Sequence, residues 1–142
     1  MKLSSHIVQG ACLGSAAYCL TDLRTALIFG GSIVLIDIDH YLHYLYRKKN
    51  LSVRGMFSFY DNVWDRRREV FGIEIFHTAE TLLLLVAAGF WHPAFWAVAA
   101  GFFAHMLFDF LHLAWHRVPF VRALSFVEYG IRKRNYSPGM IW

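Results

Sequence analysis

At 142 residues the chain is a single domain, with room for a four-helix core and little more. It is 57% hydrophobic and 18% aromatic with 17% charged residues, which excludes a disordered chain or a nucleic-acid-binding tail, so no nucleic-acid partner is expected. Its net charge of +4 comes from basic residues gathered between and after apolar segments, a placement that suits a membrane surface and makes membrane lipid the expected partner.

Four apolar segments follow one another. The first, about residues 6–20, opens with His6 and holds Gly10, Gly14, Ser15, Ala16 and Ala17, small residues that let helices approach closely in a bilayer. Lys2 and these small residues also suit a signal peptide, but His6 interrupts its start and no soluble domain is expected to follow. Cys12 and Cys19 are the only cysteines and lack Cys-x-x-Cys spacing, so they read as packing residues, not as a disulfide or thiolate ligands.

The second segment, about 23–46, is long enough to span the hydrocarbon, yet Asp37-Ile38-Asp39-His40 interrupts it. On a continuous helix Asp37, His40, Tyr41 and Tyr44 share one face and Asp39 and His43 point away. Unwinding near Asp37, for which Gly30 and Gly31 leave room, would let both carboxylates converge. Arg47 or Lys48 could instead simply neutralise them. Residues 47–69 form a basic loop in which Arg47, Lys48, Lys49, Arg54, Arg66, Arg67 and Arg68 alternate with Phe57, Phe59, Tyr60 and Trp64. Such a stretch suits the headgroup region. It is read either as an ordinary solvated loop or as a lip for an anionic, phosphate-bearing substrate, with Arg66, Arg67 and Arg68 as its contacts.

The third segment, about 70–91, carries Glu74, His77 and Glu80 ahead of LLLLVAAGF; on a helix His77 and Glu80 share a face. His92-Pro93 turns into the fourth, about 94–115, which contains GFFAHMLFDFLHLAWH. Here His105, Asp109, His112 and His116 fall at spacings of four, three and four and stack on one side of a helix. Pro119 is expected to end that helix, Val121 to Arg134 reads as a short amphipathic helix with a basic end, and the remaining tail as an interfacial anchor. The expected fold is therefore all-α: an integral membrane bundle of about four transmembrane helices with a basic interfacial loop and a short C-terminal amphipathic helix.

Lysine and arginine are concentrated in the long loop and after the fourth segment, so the positive-inside rule predicts a multi-pass protein of the bacterial inner membrane with both termini cytoplasmic. In that topology every segment places a polar residue in the same half of the bundle. Buried ionisable groups need partners, and histidine with carboxylate in the absence of cysteine suits a divalent metal, zinc first, with manganese or iron as alternatives. His6, Asp37, Asp39, His40, His77, His105 and Asp109 are the expected ligands of one or two ions, two accounting better for their number. Asp39 or Glu80 would serve as general base. Bis-histidine haem between His77 and His105 is the other cofactor considered, and the carboxylates argue against it.

An early histidine, Asp37-Ile38-Asp39-His40, His77 opening the third segment, and His105 with Asp109 in a Gly-led fourth resemble the membrane-bound metal-dependent hydrolases of the LexA-regulated, YdjM-like group. The resemblance covers most of the first 116 residues and implies a hydrolase with metal ligands at those positions. That family is in turn similar in fold and ligand pattern to zinc-dependent phospholipase C. Ile36 stands where the family usually has proline, and Phe76-His77-Thr78-Ala79-Glu80-Thr81 lacks one histidine and the serine of the usual third motif. The expected activity is hydrolysis of a phosphoester, in a lipid or another membrane-associated substrate, by a metal-activated water. The alternative is a non-catalytic bundle held by metal or by a charge network.

Overall fold

The computed structural model describes residues 3–65, 72–117 and 122–135. The chain is helical almost throughout: α1 (Leu3–Tyr18), α2 (Leu23–Leu35), α3 (Ile38–Lys48), α4 (Val53–Asp65), a 3₁₀ turn (Ile75–His77), α5 (Ala79–Gly89), α6 (Ala94–Trp115) and α7 (Phe126–Asn135). Two strands of two residues each, β1 (Gly72–Ile73) and β2 (Arg122–Ala123), pair in parallel.

Helices α1, α2 and α6 pack into the centre, and missing side chains set their approach. A Cβ on Gly10 would stand 2.7 Å from the Gly30 carbonyl oxygen, and one on Gly30 would stand 2.7 Å from that of Gly10. A Cβ on Gly101 would meet the Phe29 carbonyl oxygen at 2.6 Å. These contacts bring His6 of α1 and His105 of α6 against the end of α2. Asp22 starts α2, its carboxylate accepting from the Thr25 N–H at 3.0 Å and from the Thr25 hydroxyl at 2.6 Å.

Several expected boundaries shift. The second apolar segment breaks at Ile36–Asp37, so α2 and α3 are separate helices within one stretch, Leu23–Lys48. The basic loop is helical over Val53–Asp65, where its composition suggests an irregular or interfacial stretch. The third segment is not one long helix. Ile75–His77 forms a 3₁₀ turn, Thr78 then caps α5 by accepting from the Thr81 N–H, and only 11 residues remain helical. At 1.5 Å per residue α5 is about 16 Å long, roughly half the hydrocarbon thickness. The last helix begins at Phe126 rather than near 121, because Arg122–Ala123 is engaged by β1. Two helical stretches, Leu23–Lys48 and Ala94–Trp115, are long and apolar enough to cross a membrane. α1, at 16 residues, and α5 are shorter.

Buried and exposed residues are distributed in an unusual way. His6, Asp39, His77, Thr78, His105 and Asp109 are buried, while Leu27, Leu83, Leu84 and Phe103 are all more than half exposed. The interior thus mixes polar groups with aliphatic ones such as Ile33 and Ile36, and much of the surface is oily.

Candidate metal centre

Five elements contribute to the polar cluster: α1 with His6, the α2–α3 break with the half-buried Asp37, the first turn of α3 with Asp39, the 3₁₀ turn with His77, and α6 with His105 and Asp109. His105 Nδ1 lies 2.7 Å from the Ile33 carbonyl oxygen. In a continuous helix that carbonyl would accept the N–H of Asp37. The interruption at Ile36–Asp37 instead lets it accept the proton of His105. His77 Nδ1 lies 3.0 Å from Asp39 Oδ2. A carbonyl and a carboxylate only accept, so both Nδ1 atoms carry the hydrogen and, in the neutral rings, both Nε2 atoms present lone pairs.

Those two Nε2 atoms face each other at 3.2 Å. Asp37 Oδ1 is 3.4 Å from the nitrogen of His105 and 3.6 Å from that of His77. His6 Nε2 completes the group at 3.6 Å from Asp37 Oδ2 and 3.7 Å from Asp109 Oδ1, and Asp109 Oδ2 is 3.6 Å from His105 Nε2. Bonds of about 2.0–2.2 Å to zinc leave neighbouring ligands roughly 3–3.5 Å apart, so this donor set fits a metal ion in both chemistry and spacing. His6, His105 and Asp109 form one trio able to hold an ion, and Asp37, His77 and His105 another. Asp37 is the most open of the carboxylates, its side chain 20% exposed against 6% for Asp109 and 5% for Asp39. Haem between His77 and His105 does not fit: axial ligands on opposite faces of a porphyrin stand about 4 Å apart at metal–nitrogen bonds of roughly 2 Å, with the ring between them.

Asp39 and His40 lie behind this inner set. Asp39 Oδ2 accepts from the Phe76 N–H at 3.0 Å as well as from His77, and its Oδ1 lies 2.9 Å from His40 Nδ1. The other nitrogen of His40 is 3.0 Å from Glu74 Oε1. Both nitrogens of His40 thus face acceptor-only oxygens, the arrangement of an imidazolium. Asp39, His40 and His77 form a third trio within ligating distance of one another, but these hydrogen bonds already occupy the Asp39 and His40 atoms. Tyr60 donates its hydroxyl to the His40 carbonyl oxygen at 3.1 Å and holds α4 against this end of the site.

Arg122 and Glu74, neither of them an expected ligand, also belong to the cluster. Arg122 donates from Nη1 to Glu74 Oε2 at 2.6 Å and from Nη2 to Asp109 Oδ2. The β1–β2 pairing sets Arg122 opposite Gly72, two residues before Glu74. Burial works to raise the Glu74 carboxyl, but the charges of His40 and Arg122 outweigh it and keep the group below its ordinary range. Burial likewise works to lower Arg122, and Glu74 and Asp109 hold it above its ordinary value. A signal for the pair exists in the sequence: Glu74 opens an apolar segment and needs a cation, and Arg122 is set apart from the basic runs.

Other expected site residues stand elsewhere. Glu80 accepts from the Ser125 hydroxyl at 2.6 Å and from the Phe126 N–H at 3.0 Å, so it anchors the start of α7 and does not face the histidines. The shared face of His77 and Glu80 presumed one helix, and α5 begins only after His77. His112 and His116 touch each other, ring centroids 4.6 Å apart, at the far end of α6. Arg66, Arg67 and Arg68 lie outside the described residues. No family model, curated protein or solved structure matches this chain.

Proposed function

We propose that the chain is a metal-dependent hydrolase embedded in the bacterial inner membrane, acting on a phosphoester of a lipid or membrane-associated substrate. In this reading Leu23–Lys48 and Ala94–Trp115 cross the bilayer, α1 and α5 complete the bundle as shorter helices, and both termini are cytoplasmic. The resemblance to the LexA-regulated, YdjM-like hydrolases supports the same activity. The observation that carries the proposal is the approach of His77 Nε2 and His105 Nε2 to 3.2 Å among carboxylates, both nitrogens bearing lone pairs when the rings are neutral. Two such atoms repel unless a cation stands between them.

His6, Asp37, His77, His105 and Asp109 would hold a divalent ion, zinc first among the candidates. Bound there, it would supply an acidified water and a Lewis acid for a phosphoryl oxygen. Asp39 and the Ile33 carbonyl hold His77 and His105 in the tautomer that offers Nε2 inward. Asp37, at the open edge, is the carboxylate best placed to take a proton from water. Among the described residues, Arg122 pairs with Glu74 and Asp109, and the imidazolium of His40 with Asp39 and Glu74.

The alternative is a non-catalytic bundle in which a proton shared by His77 and His105 replaces the metal. Elemental analysis of purified protein beside Asp37→Ala and His105→Ala separates the two. The hydrolase reading expects about one equivalent of metal, lost in both variants. A metal-free wild type would leave the charge-networked bundle.

A further inference from the structure

A groove of about 270 Å³ runs between α5 and α6. Its walls are apolar, formed by Leu82, Phe103, Met106, Leu107 and Phe110, and its inner end is closed by His77 and Arg122. Two residues of the buried polar cluster are therefore reached through a hydrocarbon-lined passage. Phe103, Leu107 and Phe110 at its mouth are 57%, 44% and 38% exposed, on one of the two helices long and apolar enough to cross a membrane. A polar solute would gain nothing from such walls. A molecule with one apolar end and one anionic end matches both parts of the passage. Arg122 adds to the match, because Glu74 and Asp109 account for two of its five N–H donors.

We propose that this groove takes the hydrocarbon chain of an amphiphile whose phosphate ester head lies at His77 and Arg122, entering sideways from the lipid. The inference rests on the hydrolase reading above and narrows its substrate to a chain-bearing phosphoester. The groove then sets how much chain is recognised: each methylene buried in it strengthens binding by about fourfold until it is filled.

The test uses purified full-length protein in amphipol with a dodecyl phosphate carrying a terminal diazirine. Photolabelled peptides are mapped, and metal is measured in the same preparation. Label is expected on the groove-lining residues of α5 and α6, with butyl, octyl and dodecyl phosphate competing in rising order at about fourfold per methylene. Met106→Trp, or Leu82→Trp should the first variant lose its metal, is expected to cut groove labelling at least tenfold while metal is retained. Label spread over outward positions such as Leu84 and Leu111 would overturn the proposal. So would equal competition by butyl and dodecyl phosphate, competition by dodecanol as strong as by its phosphate, or burial of the groove against a second copy of the chain. Groove labelling without metal would sink the hydrolase reading but keep the groove as a chain site; stoichiometric metal without groove labelling would do the reverse.

Discussion

Asp39 shows how the cluster divides its labour. It accepts from a backbone N–H and from two imidazoles, so its charge is spent on orientation. Asp39→Asn should leave the five inner donors present and weaken metal binding by about 10–100-fold, measured by competition with a chromophoric chelator. A variant that binds as tightly as wild type would move Asp39 out of this role. Arg122 is the second case. Arg122→Met would leave Glu74 and Asp109 buried without their guanidinium and should cost about 3–5 kcal/mol in unfolding experiments in detergent. Arg122→Lys should recover only part of that, since an ammonium cannot fork to two carboxylates. The spacing of His105 and Asp109 can be read directly from the sequence, because α6 is a regular helix. The placing of Asp39, Glu74 and Arg122 cannot, because it depends on a helix break, a 3₁₀ turn and a strand pair made by residues 50 apart in the chain.

Among the elements, the glycines of α1, α2 and α6 carry the packing that aligns the ligands. Gly101→Val should overpack the α2–α6 contact, cost about 1–3 kcal/mol and reduce metal content by moving His105. Gly31 has open space around its missing Cβ, so Gly31→Ala should be neutral or stabilising by up to about 1 kcal/mol. If both variants behave alike in thermal unfolding, close packing is not what positions the site. At α7 the anchoring carboxylate makes a pH prediction. Hydrogen bonding from Ser125 keeps the Glu80 carboxyl below its ordinary value. A depressed folded value stabilises above the unfolded one, so the docking of α7 should hold at neutral pH. It should weaken as pH falls below about 4.3, the ordinary glutamate value. Proteolytic nicking of α7 should rise over that range in wild type and be high at every pH in Glu80→Ala. Four apolar segments were legible from composition, but helix length was not: Thr78 caps α5 late, and no hydropathy window registers a cap.

At the scale of the whole molecule, many large apolar side chains face outward while a histidine–carboxylate cluster lies inside, a distribution that suits a lipid surrounding. The positive-inside reading makes a concrete prediction for the exposed Cys19 at the α1–α2 turn. In a Cys12→Ser background, an impermeant maleimide should modify Cys19 in intact spheroplasts, and should modify Ser52→Cys only after permeabilisation. The reverse pattern would invert the topology. The structure brings His6, Asp37, His77, His105 and Asp109 together, and the sequence hinted at this grouping through the polar residues that each apolar segment carries.

The pairing of β1 with β2 also bears on the order of biosynthesis. His6 through Asp109 leave the ribosome before Arg122 does, and for that interval the nascent bundle holds its carboxylates without their guanidinium. Assembly is complete only when the chain returns to lie beside Gly72–Ile73. A chain truncated after residue 117 should therefore have every ligand but stay open to chelators, whereas the chain that includes Arg122 should be closed to them.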